Sequence, residues 1–161
     1  MPFSKKERVL ISFIIVAVLV RLFPHPPNVA PITAVALFAG THFSRKHWAL
    51  LMPILAMLVT DIFLGFSMIS PIVYLAFVGV TALGFVVKKM HIGTVLLSSL
   101  LFFVVTNLGV WFLYYPLTLE GFTTCFTLAI PFFGYSVVGD VFFSAALLFG
   151  YRFAAKRLQL A

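Results

Sequence analysis

The sequence predicts an all-α integral membrane protein, and three observations carry that reading. The 161 residues are 63% hydrophobic and only 9% charged, with a mean hydropathy of +1.16. A soluble domain carries about 25% charged residues, and a chain this depleted has too few to cover its own surface. The apolar residues come in long runs that suit helical spans of about 20 residues and lack the period-two alternation of barrel strands. Ten of the eleven Lys and Arg residues also fall in short segments that separate those runs in an alternating fashion.

In chain order, residues 1–8 form a basic head with Lys5, Lys6 and Arg8, and residues 9–23 form the first predicted span. It stops at Pro24-His25-Pro26-Pro27-Asn28, because prolines this dense cannot continue a helix and restrict the residues before them. The second span, 29–43, is short and ends at Ser44-Arg45-Lys46-His47. The third, 48–65, closes in Phe66-Ser67-Met68, and the fourth, 69–87, closes at Lys88-Lys89. The fifth, 92–115, is stopped by Pro116, after which a loop is predicted over 117–127 with Glu120, Gly121 and Cys125. The sixth, 128–151, leads into Arg152, Lys156 and Arg157. Residues 1–161 thus form a single transmembrane domain with no soluble domain.

With six spans and the N-terminus inside, every Lys and Arg except Arg21 lies on the inner side. The positive-inside rule therefore places both termini in the cytoplasm. A re-entrant 29–43 would move Arg45 and Lys46 outside and destroy the asymmetry. The net charge of +7 is accordingly a topology signal with anionic lipid as its contact, and nucleic acid is not indicated. Reading 9–23 as a cleaved signal peptide would leave five spans, but no small-residue cleavage site follows the apolar run directly.

Few polar residues lie at membrane depth. A charged Asp at a helix centre costs about 2.5–3.5 kcal/mol on insertion scales, so each needs a partner or a function. Asp61 lies in the outer third of the third span, within reach of Arg21, and is read either as a salt bridge or as part of a site. Asp140 lies near the middle of the sixth, on a polar stripe with Ser136 and Ser144 at i, i+4, i+8. It is read either as helix glue or as pocket lining. Phe103, Asn107, Trp111 and Tyr114 fall within about 80° of one face of the fifth span, and Tyr74 and Thr81 share a face of the fourth. The expected substrate site joins Asn28, Asp61, Tyr74, Asn107 and Trp111 in an outward-opening pocket, with Asp140 at its floor. An apolar, aromatic pocket with a few placed polar groups suits a small organic ligand.

Several chemistries lack their residues. The chain has no nucleotide-binding P-loop, no nucleophile elbow and no zinc-protease helix motif, so it is not expected to be an enzyme. His25, His42, His47 and His91 are scattered without ligand spacing, no cofactor is indicated, and the single Cys125 forms no internal disulfide. Uphill transport would need an energising partner or an ion gradient.

The segments PHPPNVAPITAVALFAG, MLVTDIFLG, FFVVTNLGVWFLYYPLTLEGFTTC and IPFFGYSVVGD resemble a family of small, uncharacterised bacterial membrane proteins described as transport proteins. That family resembles the S-components, the substrate-binding subunits of energy-coupling-factor (ECF) transporters. The resemblance runs from about Arg21 to Gly150. It implies a six-helix S-component-like bundle, a vitamin-sized pocket near the outer face, and association with a membrane coupling subunit and two cytoplasmic ATPases. One departure is visible: many S-components carry an Ala-x-x-x-Ala coupling pattern on the first helix, whereas here that span holds only Ala17. Small residues cluster instead in the second span, as Ala30/Ala34 and Ala36/Gly40, for close packing within the monomer or against a partner. Some relatives of S-components bind cobalamin through a cysteine, which makes Cys125 or His25 an alternative metal contact. The expected function is uptake of a vitamin-like micronutrient across the bacterial inner membrane. A solitary or homodimeric secondary transporter and a cell-envelope scaffold are the competing readings.

Overall fold

The computed structural model describes residues 3–23 and 29–159, and their regular structure is entirely helical. Six helices follow in order: α1 (Lys5–Leu22), α2 (Ile32–His42), α3 (Lys46–Leu64), α4 (Ser70–Val87), α5 (Ile92–Tyr114) and α6 (Leu119–Leu158). Four of them, α3 to α6, are long and apolar enough to cross a membrane, which makes this a multi-pass membrane protein. The other two differ in kind. α1 has 18 residues but carries Lys5, Lys6, Glu7, Arg8 and Arg21, and α2 has only 11 residues.

α1 starts on a capping box. Ser4 Oγ accepts from the Glu7 amide at 3.1 Å, and Glu7 Oε2 accepts from the Ser4 amide at 2.9 Å, so two orphan donors of the first turn are satisfied. α2 is apolar all round, and every residue from Ile32 to Gly40 is buried, as expected for a helix enclosed by others. It packs against each of the other five helices. At 1.5 Å per residue it is about 16 Å long, half the hydrocarbon thickness of about 30 Å.

The small residues of α2 are used inside the bundle. Gly40 meets Gly84 of α4 so closely that a Cβ on Gly84 would lie 2.8 Å from Gly40 Cα. Ala34 and Ala36 are 1% and 0% exposed, so these two pack within the bundle, while Ala30 is half-buried. α3 ends at Gly65, whose φ of +95° lies where a Cβ is disfavoured.

The last helix departs from the sequence reading. Instead of a loop over 117–127 and a span from 128, α6 begins at Leu119 and runs unbroken for 40 residues, about 60 Å. Thr118 Oγ1 caps it by accepting from the Gly121 amide at 3.1 Å. The early turns are helical because α5 gives them a partner. Phe122 meets Trp111 edge-on with centroids 5.3 Å apart, and Phe126 meets Phe103 at 5.8 Å. Gly121 sits against the Pro116 carbonyl, where a Cβ would clash.

One end of the bundle gathers the cations. Lys5 Nζ donates to the Leu158 carbonyl at 3.0 Å, Arg45 Nε lies 3.5 Å from Glu7 Oε1, and Lys46 stands over the Phe85 ring. These contacts bring the start of α1, the α2–α3 connection and the ends of α4 and α6 together. Arg21 is at the opposite end, on the last turn of α1.

Candidate functional site

Two aspartates at membrane depth organise two neighbouring regions. Near the end opposite the basic cluster, Arg21 Nη2 donates to Asp61 Oδ1 at 2.9 Å, and Arg21 Nη1 donates to Thr60 Oγ1. Tyr74 Oη donates to the other carboxylate oxygen, Asp61 Oδ2, at 2.7 Å. The Arg21 side chain is 15% exposed and that of Asp61 5%. This node fastens the last turns of α1 and α3 to the first half of α4. Each Asp61 oxygen has a partner, and Arg21 supplies the opposite charge that a buried carboxylate requires.

Asp140 is treated differently. It is buried on α6, and Ser99 Oγ of α5 donates to its Oδ2 at 2.7 Å. Thr33 of α2 approaches it from a second helix. Among the described residues, neither ion pair involves it. Ser99 is seven residues into α5, about 10 Å from that helix's basic end, so Asp140 lies nearer that end than Arg21 does.

A cavity of about 250 Å³ runs between these regions, lined among others by Arg21, Thr33, Phe77, Phe102, Ser136 and Asp140. Arg21 is thus on its wall while Asp61, behind it, is not. A second cavity of about 280 Å³ is lined by Phe103, Thr106, Asn107 and Phe133 among others, and shares Val73, Phe102 and Ser136 with the first. The two abut between α4, α5 and α6, each partly open at the surface, and the first reaches the first turn of α2. Their walls are mainly aromatic and aliphatic, with a guanidinium, a carboxyl, an amide and hydroxyls at fixed points. Mostly apolar walls with a few placed polar groups are the usual composition of a small-molecule site.

The sequence-selected residues separate accordingly. Asp140 and Asn107 line the interior space, Asp140 in the first cavity and Asn107 in the second. Asn107 Nδ2 donates to the Phe103 carbonyl at 2.8 Å, which holds the amide against its own helix. Asp61 and Tyr74 meet each other but not the space; they position Arg21. Trp111 is turned to the α5–α6 connection, where its Nε1 donates to the Pro116 carbonyl at 3.0 Å. It does not join the expected cluster, because the extended start of α6 claims its ring. Asn28 and His25 lie outside the described residues. Thr81 is buried and donates to the Phe77 carbonyl at 2.9 Å.

Sequence reasoning overlooked Ser99, Thr33 and Thr60. The adjacent Ser98-Ser99 between apolar runs of α5 was the available signal; both hydroxyls are buried and lie within hydrogen-bond distance of the carbonyls of Thr94 and Val95 one turn back. Cys125 is buried and its Sγ donates to the Asn107 carbonyl at 3.6 Å, behind the cavity wall. Among the described residues, no three His, Cys, Asp or Glu gather as a metal set.

Residues 2–161 match DUF6580, a family of unknown function, and the chain belongs to that family. No curated protein and no solved structure matches it.

Proposed function

We propose that this DUF6580 protein binds a small organic solute in the interior space between α2, α4, α5 and α6 and carries it across the bacterial inner membrane. The observation that supports this most is the pair of abutting cavities with Arg21, Asp140 and Asn107 on their walls. Interior polar groups at membrane depth are costly, and a protein that only needed packing would fill such a space with side chains.

In the membrane, this reading has six crossings with both termini cytoplasmic. The basic end lies inside. α2 makes up the inner part of the second crossing as a short helix sheltered by protein on all sides, an arrangement tolerated away from lipid. Broken crossings of this kind commonly place a helix start beside a transport site, and Thr33 in the first turn of α2 lines the cavity.

Energy for uptake would come from a coupling subunit with two ATPases, as in the ECF systems the sequence resembles, or from an ion gradient. Asp140 supports the second source, because a buried carboxyl held only by hydroxyls can take up or release a proton without breaking an ion pair.

The test is native mass spectrometry of protein released gently from its own membranes, with small molecules extracted in parallel. A single co-purifying solute, lost in Asn107→Ala and Asp140→Asn proteins that remain folded, is the expected result. ATPases in the same preparation would assign the coupled mechanism. A ligand-free protein at full occupancy of lipid alone would contradict the reading.

A further inference from the structure

Outside the interior space, one crevice at the basic end has its own chemistry. It lies where the start of α5 crosses the second half of α6 and has a volume of about 300 Å³. Its walls are almost wholly apolar, from Met90 and Val95 on one side to Val141, Leu148 and Phe149 on the other. Phe149 and Ile92 at its rim are 67% and 60% exposed, so the crevice opens sideways, where lipid would lie.

Two polar side chains, those of His91 and Ser144, interrupt the wall. Ser144 is 4% exposed and lines the crevice, and among the described residues its Oγ has no hydrogen-bond partner. The other buried serines all have partners: Ser98 donates one turn back along its helix, Ser99 reaches both Asp140 and the Val95 carbonyl, and Ser70 accepts from the Ser67 amide, so the unpaired state of Ser144 is not the habit of serines here. A hydroxyl buried without a partner is costly, and a ligand acceptor in the crevice would remove that cost.

The second feature is the start of α5. His91 caps the helix, and its side chain takes the Thr94 amide. The amides of Ile92 and Gly93 have no intrahelical acceptor, as at any helix start, and the dipole there favours an anion. Lys88 and Lys89 precede this turn, and Arg152 lies one turn beyond Phe149 on α6. From the rim at Phe149 to Val141 the crevice follows eight residues of α6, about 12 Å.

We infer that this crevice holds one anionic phospholipid. The phosphate sits against Lys88, Lys89 and the free amides of α5, an ester carbonyl accepts from Ser144 Oγ, and an acyl chain lies along Val95, Val141 and Leu148. Charge complementarity selects the occupant: the cations cluster where the headgroups of the inner leaflet would lie, and that leaflet attracts basic segments through its anionic lipids. From the basic end into α5 come Lys88 and Lys89, the first-turn amides and then Val95, and along α6 Val141 lies beyond Ser144, in the sequence of headgroup, ester and chain.

The experiment is native mass spectrometry of the full chain equilibrated with equimolar phosphatidylglycerol and phosphatidylcholine. The expected result is one tightly retained phosphatidylglycerol, at least fivefold over phosphatidylcholine. Retention should fall at least threefold both in Lys88→Gln/Lys89→Gln, which alters only exposed residues, and in Ser144→Val. Phe149→Ala, an exposed change that removes a rim wall without touching the core, should lower it as well. Loss only in the lysine variant would mean a diffuse surface attraction and would overturn the crevice. Equal retention of both lipids, or displacement by millimolar inorganic phosphate, would overturn the lipid assignment.

Discussion

Asp61 and Asp140 are the same side chain at membrane depth in one small bundle, and they are held in opposite ways. Asp61 has a guanidinium at 2.9 Å and a phenol at 2.7 Å, and it stands behind the cavity wall. Asp140 has the Ser99 hydroxyl at 2.7 Å and no ion pair among the described residues, and it stands on the wall itself. A neutralised, fully partnered carboxylate fastens helices and has little left to offer a ligand. A carboxyl held by hydroxyls keeps both its proton chemistry and an open side. The contrast divides the polar residues of this protein into those that build the frame and those that face the interior.

The largest effect should come from breaking the frame. Asp61→Asn leaves Arg21 buried without its counter-charge, which costs about 3 kcal/mol; thermal unfolding in mild detergent would read this as a marked drop in midpoint. The double variant Arg21→Met/Asp61→Asn should recover more than half of the loss, because no uncompensated charge remains. Asp140→Asn should be milder, about 1 kcal/mol for a hydrogen bond exchanged for a poorer one, while the co-purifying solute is lost. Equal destabilisation by the two asparagine substitutions would erase the distinction.

Trp111→Phe sharpens the comparison from a third position. It removes the bond to the Pro116 carbonyl but keeps a ring against Phe122, so about 1 kcal/mol of stability should go with solute occupancy unchanged. Loss of the solute instead would return Trp111 to the site.

The smallest effect belongs to the basic end. The backbone amide of Ser4, helped by its hydroxyl and by Arg45, holds the Glu7 carboxyl below its ordinary value of 4.5 against the opposing effect of burial. Because the folded value is the lower one, Glu7 stabilises the fold at pH values above 4.5, and that contribution is lost as pH falls through the folded value. The acid limb of a pH–stability curve should therefore shift to higher pH in Ser4→Ala, whose carboxyl has lost a donor.

Much of the frame was legible in the sequence for simple reasons. Long apolar runs can only be helices in lipid, the grouping of Lys and Arg marks one end, and Arg21 was the one cation placed to meet Asp61. The misreadings share a cause, which is that they depend on what a segment packs against. Nothing local in Leu119–Thr127 demands a helix; the aromatic face of α5 does. Trp111 follows from the same event, since the ring that looked free in α5 is occupied once α6 starts early. α2 shows the reverse case. Its small residues were legible as a packing surface, but only the bundle reveals that Gly40 against Gly84 turns them inward. Asp140 was found by its stripe with Ser136 and Ser144, while its partner Ser99 required knowing which face of α5 it meets.

The most direct measurement is a crossed comparison of Asp61→Asn and Asp140→Asn, each scored for unfolding midpoint and for moles of co-purified solute per mole of folded protein. The expected result is a crossover: Asp61→Asn loses the more stability and its folded fraction keeps the solute, whereas Asp140→Asn loses only about 1 kcal/mol and comes away empty. Full solute occupancy in folded Asp140→Asn would contradict the claim that the interior space around Asp140 is a binding site.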